Sequence, residues 1–82
     1  MFHGTSKRFL SSICKKGLLK GKRLYVHLSK DFETANEVSK RHGNEMVLII
    51  NTRRMVEEGH KFYMSENGVY LCEHVPHQYI IY

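Results

Sequence analysis

Phe62-Tyr63-Met64-Ser65-Glu66-Asn67-Gly68-Val69-Tyr70-Leu71-Cys72 is the most informative stretch of this 82-residue chain. Two runs rich in aromatic and apolar residues, Phe62 to Met64 and Val69 to Cys72, flank Ser65-Glu66-Asn67-Gly68. Asn-Gly between strand-forming runs is a strong turn signal, because both residues tolerate the backbone that tight hairpins need. The stretch therefore reads as two paired strands. Pro76 interrupts the chain after them, and Tyr79 to Tyr82 can add a last short strand.

Upstream, helix and strand signals alternate in short pieces. Gly4 to Ser6 supplies turn and N-cap chemistry after a first short strand that ends at His3-Gly4-Thr5. From Lys7, the residues Phe9, Leu10, Ile13 and Cys14 fall at helical spacing, which puts Cys14 on the apolar face. Gly17 sits where a left-handed residue ends a helix, giving a helix of about ten residues. Leu24 to Leu28 is rich in strand formers. Asp31 can cap a second helix whose apolar face is Phe32, Ala35 and Val38, closed by Gly43. Met46 to Ile50 is a continuous apolar run, the pattern of a strand buried on both faces. Thr52 is the N-cap candidate of a third helix that runs through Glu58 and stops at Gly59. Helices first and paired strands last make the chain α+β rather than a doubly wound parallel sheet.

The length fits one small domain over residues 1–82 with a modest core. No apolar run approaches the ~20 residues of a membrane span, and two cysteines are too few for a disulfide framework. These features fit a cytoplasmic chain with no membrane partner. Charge is uneven: residues 1–30 carry +8 with no acidic group, and the remainder carries −3, which gives the net +5. Lys15, Lys16, Lys20, Lys22 and Arg23 can draw a polyanion, although lysines at a helix end also complement its dipole.

Six histidines offer further chemistry. His3 in His3-Gly4-Thr5 and His27 in Val26-His27-Leu28-Ser29 have parallel contexts, each a strand end followed by a hydroxyl residue. Glycine at such a place lets backbone amides approach a phosphate or ribose, and two imidazoles can converge on one pocket. Cys72, His74 and His77 have metal-binding composition but no second ligand pair at zinc spacing, so no metal is expected. Arg41, at a helix end beside His42 and Gly43, suits either the helix dipole or bidentate phosphate binding.

Taken in order, these pieces resemble the tRNA 2′-phosphotransferase (KptA) family. The resemblance rests on His3-Gly4-Thr5, Lys16-Gly17-Leu18-Leu19, Arg23 to Ser29 and Arg41-His42-Gly43. It continues through Val47 to Ile50, Met55, Gly59, Phe62 to Leu71, Val75-Pro76 and Tyr79, and so spans essentially the whole chain. It implies a small ADP-ribosyltransferase-like fold, with split antiparallel or mixed sheets and two to three short helices. It also implies NAD as co-substrate and an RNA, such as tRNA, bearing a splice-junction 2′-phosphate. In that family the 2′-phosphate attacks C1″ of the nicotinamide riboside, and transesterification then yields ADP-ribose 1″,2″-cyclic phosphate.

Carried over by position, His3, Gly4, Thr5, His27, Leu28, Ser29 and Val69 would bind NAD, and Arg41 would be the catalytic arginine. Val69 would stand where toxin-like relatives keep a catalytic Glu. The family also carries a preceding winged-helix-like RNA lobe. This chain starts two residues before His3, so the expectation is that the lobe is absent, or that a separate chain supplies it. Two other readings stay open: an ADP-ribosyltransferase with another nucleic-acid or protein acceptor, and a non-catalytic NAD- or RNA-binding module.

Overall fold

In the computed structural model, which describes residues 1–41 and 43–82, the Ser65–Gly68 turn closes as the sequence predicts. Gly68 N–H donates to the Ser65 carbonyl at 3.0 Å, and Ser65 N–H to the Val69 carbonyl at 2.8 Å. Gly68 has φ 76° and Asn67 does not have positive φ, so only the glycine is left-handed in this turn. The turn joins β5 (Tyr63–Met64) to β6 (Tyr70–Cys72). β6 also pairs with β3 (Val26–Leu28), which gives a three-stranded sheet in the order β3-β6-β5.

The second three-stranded sheet has β4 (Glu45–Ile50) at its centre, between β1 (Phe2–Ser6) and β8 (Ile80–Ile81). All these pairings are antiparallel. A third, two-stranded ladder joins β2 (Leu18–Leu19) to β7 (His74–Val75). Three helices complete the α+β fold: α1 (Leu10–Lys16), α2 (Phe32–Lys40) and α3 (Thr52–Glu57). The split antiparallel sheets and short helices fit the small ADP-ribosyltransferase-like fold that the resemblance implies. Leu28, Leu48, Ile50, Met55, Val75 and Tyr79 lie at the centre of the core that the sheets and helices share.

Several local expectations change. β1 runs through Ser6, so His3-Gly4-Thr5 lies within a strand rather than at its end. The ten-residue helix is a 3₁₀ turn, Lys7–Phe9, followed by α1, with Ser6 Oγ accepting from Arg8 N–H at 3.4 Å. Cys14 is exposed, not core, because the short helix turns only Ile13 fully inward. β3 begins at Val26, since an Arg23 N–H to Lys20 carbonyl turn keeps the cationic loop in solvent and leaves Leu24 81% exposed. β4 is buried on one face and only partly covered, by α2, on the other. Leu48 and Ile50 are covered while Ile49 is 44% exposed, as antiparallel pairing with alternation gives. Asn51 caps α3 in place of Thr52, its Oδ1 accepting from Arg54 N–H at 3.1 Å. The last strand is Ile80–Ile81, after a 3₁₀ turn over His77–Tyr79. His42, part of the Arg41-His42-Gly43 motif, lies outside the described residues. Among the described residues no helix is long and apolar enough to cross a membrane.

Candidate functional site

β1 and β3 belong to different sheets and meet at one bridge. Phe2 N–H donates to the Ser29 carbonyl and Ser29 N–H to the Phe2 carbonyl, both at 2.8 Å. Side chains from two sheets can converge where the sheets part, and here the two histidines do. His3 Nδ1 lies 2.8 Å from the His27 carbonyl. A carbonyl can only accept, so Nδ1–H is the donor and Nε2 is the acceptor of the neutral ring. His27 Nδ1–H donates in the same way to the Tyr25 carbonyl at 3.0 Å. Each imidazole is thus turned by a backbone bond, and the first bond ties one histidine to the strand of the other.

A cleft of about 350 Å³ opens at this junction. β1 contributes His3, Gly4 and Thr5, the β3 segment Tyr25, Val26, His27 and Ser29, and the hairpin turn Val69. Thr34, Val38 and Arg41 come at helical spacing along α2 and its C-cap, while Leu19, Lys20 and Arg23 complete the rim. Of the residues singled out in the sequence, His3, Gly4, Thr5, His27, Ser29, Val69 and Arg41 all line this one cleft. Leu28 does not. Its side chain is fully buried, because β3 alternates and Val26 and Leu28 face the core.

Gly4 has a packing reason to be glycine. A Cβ there would strike the Ala35 carbonyl and come within 2.8 Å of the Ser39 amide nitrogen. The close approach that glycine permits is therefore used by α2, which lies directly on β1. That contact fixes the rotation of α2: Ala35 and Ser39 are buried against the strand, and Thr34, Val38 and Arg41 are turned to the cleft. Tyr25, Thr34 and Val38 were not singled out from the sequence. The spacing of Thr34, Val38 and Arg41 was the available signal, but the apolar pattern drew Val38 into the core face instead.

The lining suits a phosphorylated sugar. Lys20, Arg23 and Arg41 are cations, Thr5, Ser29 and Thr34 carry hydroxyls, and no carboxylate lines the cleft among the described residues. Such a set gives a positive local field with hydrogen-bonding partners for ribose and phosphate. Arg41 is exposed and makes no ion pair among the described residues, whereas Arg54 and Lys40 are each held by a glutamate, at 2.7 and 3.1 Å. The volume is near the lower end of the ~300–1,000 Å³ usual for small-molecule sites.

Within the Cys72, His74 and His77 group, Cys72 is buried and His74 has a backbone partner. Burial pushes the Cys72 thiol up to about 11, which keeps it protonated. His74 Nε2–H donates to the Lys16 carbonyl at 2.9 Å, tying β7 to the end of α1. The basic segment divides as well: Lys20 and Arg23 reach the cleft, and Lys15, Lys16 and Lys22 are not among its lining.

Known proteins are similar to this chain over nearly its whole length. The sequence profile described as RNA 2′-phosphotransferase, Tpt1 / KptA family, matches residues 1–74. A protein of Acaryochloris marina named probable RNA 2′-phosphotransferase is 54% identical over 81 residues, covering 99% of this chain and 45% of its own. Proteins with the same name from Trichormus variabilis and Flavobacterium johnsoniae are 46% and 48% identical over 80 residues, each covering 98% of this chain and 44% of theirs. The chain thus spans less than half the length of these relatives.

Proposed function

The chain belongs to the RNA 2′-phosphotransferase, Tpt1 / KptA family, and from that premise we propose that its cleft binds NAD and presents it to the 2′-phosphate of an RNA. The observation that carries this reading is the convergence of His3, His27 and Arg41, distant in sequence, on one cleft without a carboxylate among its described residues. NAD supplies a ribose carbon already bonded to a good leaving group, nicotinamide. The protein then has mainly to orient and to stabilise charge.

His3 and His27, each fixed by a carbonyl, set the orientation of the bound ribose, and the hydroxyls of Thr5, Ser29 and Thr34 supply further hydrogen bonds. Val69 closes the cleft with an apolar wall. A phosphate dianion needs no base to activate it, and a carboxylate at that position would repel it. Arg41 offers a planar fork that grips a phosphate through two parallel N–H bonds. Lys20 and Arg23 raise the local concentration of the polyanion.

Residues 1–82 form one NAD-binding domain in this reading, and the portion of the relatives that the chain does not span would add affinity for RNA. We place it in the cytoplasm, where the free thiols of Cys14 and Cys72 stay reduced. A single-turnover assay tests the proposal, using NAD and a short RNA with an internal 2′-phosphate and following nicotinamide and the cyclic-phosphate product. Both products are expected, and Arg41→Ala should slow their formation by roughly 100-fold or more. Bound NAD without products would restrict the chain to a cofactor lobe. A covalently modified acceptor would point to ADP-ribosyl transfer, and failure to bind NAD would refute the reading.

A further inference from the structure

A second groove, of about 490 Å³, lies at the β5 side of the β3-β6-β5 sheet, with His60, Lys61, Tyr63, Glu73 and His74 on its walls. It is joined to the first cleft by an aromatic ridge. His27, Leu71 and Tyr63 form one cross-strand row on the outward face of the sheet, and Tyr25, two residues before His27, stands beside them. The Tyr25 and Tyr63 rings have centroids 5.6 Å apart at 49°. Tyr25 lines the first cleft and Tyr63 the second groove, where it remains 48% exposed.

We infer that this ridge and groove hold a nucleotide of single-stranded RNA neighbouring the reacting one, its base stacked on Tyr63. The inference rests on the reading of the first cleft as the place where RNA reacts. An exposed aromatic ring on a sheet surface, with cations on both flanks, is the arrangement on which unpaired bases stack while the backbone follows the charge. Lys20 and Arg23 provide the charge on the cleft side and Lys61 on the groove side. Glu73 repels phosphate, so the backbone runs on the Lys61 side, and the carboxylate can accept from an exocyclic amino group of the base. A duplex cannot use the ridge, because its base faces are already stacked on one another.

The test measures two affinities on the full 82-residue chain: NAD by calorimetry, and an unmodified, fluorescein-labelled hexa-adenylate RNA by anisotropy at low salt. Tyr63→Ala is expected to weaken RNA binding about tenfold and leave NAD affinity unchanged, with Tyr63→Phe restoring RNA affinity. Circular dichroism of both variants reports whether the edge strand is kept, and Tyr63→Phe preserves its packing. RNA affinity equal to wild type in Tyr63→Ala overturns the inference. An equal loss of NAD affinity also overturns it and assigns the ring to the dinucleotide. Wild-type protein that binds NAD but no RNA sinks this inference alone. Wild-type protein that binds RNA through Tyr63 but no NAD sinks the proposed function instead.

Discussion

A methyl group added to Gly4 has nowhere to go, because backbone atoms of α2, not flexible side-chain ends, occupy its place. Gly4→Ala should therefore destabilise the fold by about 1–3 kcal/mol, the range for forcing volume into a packed site. Urea denaturation at neutral pH reads this directly; an unshifted midpoint would mean that α2 is not seated on β1. At the same scale, His3 and His27 were legible in the sequence because each sits in a short motif with its own hydroxyl residue. Thr34 and Val38 were not, because their exposure to the cleft depends on how α2 is rotated. That rotation is set by a contact between Gly4 and Ala35, which lie far apart in sequence.

At the scale of elements, α3 is tied to the last turn by a small polar network. Tyr79 Oη–H donates to Glu58 Oε1 and Arg54 Nε–H to Glu58 Oε2, both at 2.7 Å, and His60 packs edge-on against the Tyr79 ring. The hydrogen bond from Tyr79 and then the one from Arg54 hold the Glu58 carboxyl below the usual glutamate range. A depressed carboxyl stabilises the fold above its unfolded pKa, about 4.3, and that contribution is lost as pH falls through the lower folded value. The same bond raises the Tyr79 hydroxyl. Its contribution is therefore present below the ordinary phenol pKa of about 10 and disappears as pH rises through the higher folded value. Glu58→Gln should flatten the acid side of the stability profile, measured as urea midpoints from about pH 6 to pH 3. Profiles parallel to wild type would contradict the network. Asn51→Ala, which removes the cap of α3, should cost about 1 kcal/mol in the same denaturation experiment, and no loss would reassign the cap. The third helix itself was legible from its capping residues and Gly59; which of two adjacent residues caps it depends on backbone geometry.

The whole molecule is built on two three-stranded antiparallel sheets that share a core and part at one bridge, Phe2–Ser29. The hairpin at Ser65–Gly68 and the α+β class could be read from local signals. The β2–β7 ladder could not, because two residues at each end pair only when the core brings Leu18 and Val75 together. The run Met46–Ile50 looked buried on both faces because hydropathy alone does not say that the fold leaves Ile49 partly uncovered. That arrangement places the cleft at the seam between the sheets, with Lys20 and Arg23 from one loop, Arg41 from the end of α2, and the histidines beside the bridge. Titrating NAD into the chain by calorimetry, with His3→Ala and Arg41→Ala alongside, tests this account most directly. Saturable binding is expected for the wild type, weakened about tenfold by His3→Ala, as loss of one anchored hydrogen-bonding group implies, and left nearly unchanged by Arg41→Ala. No binding by the wild type, or wild-type affinity in His3→Ala, would contradict it.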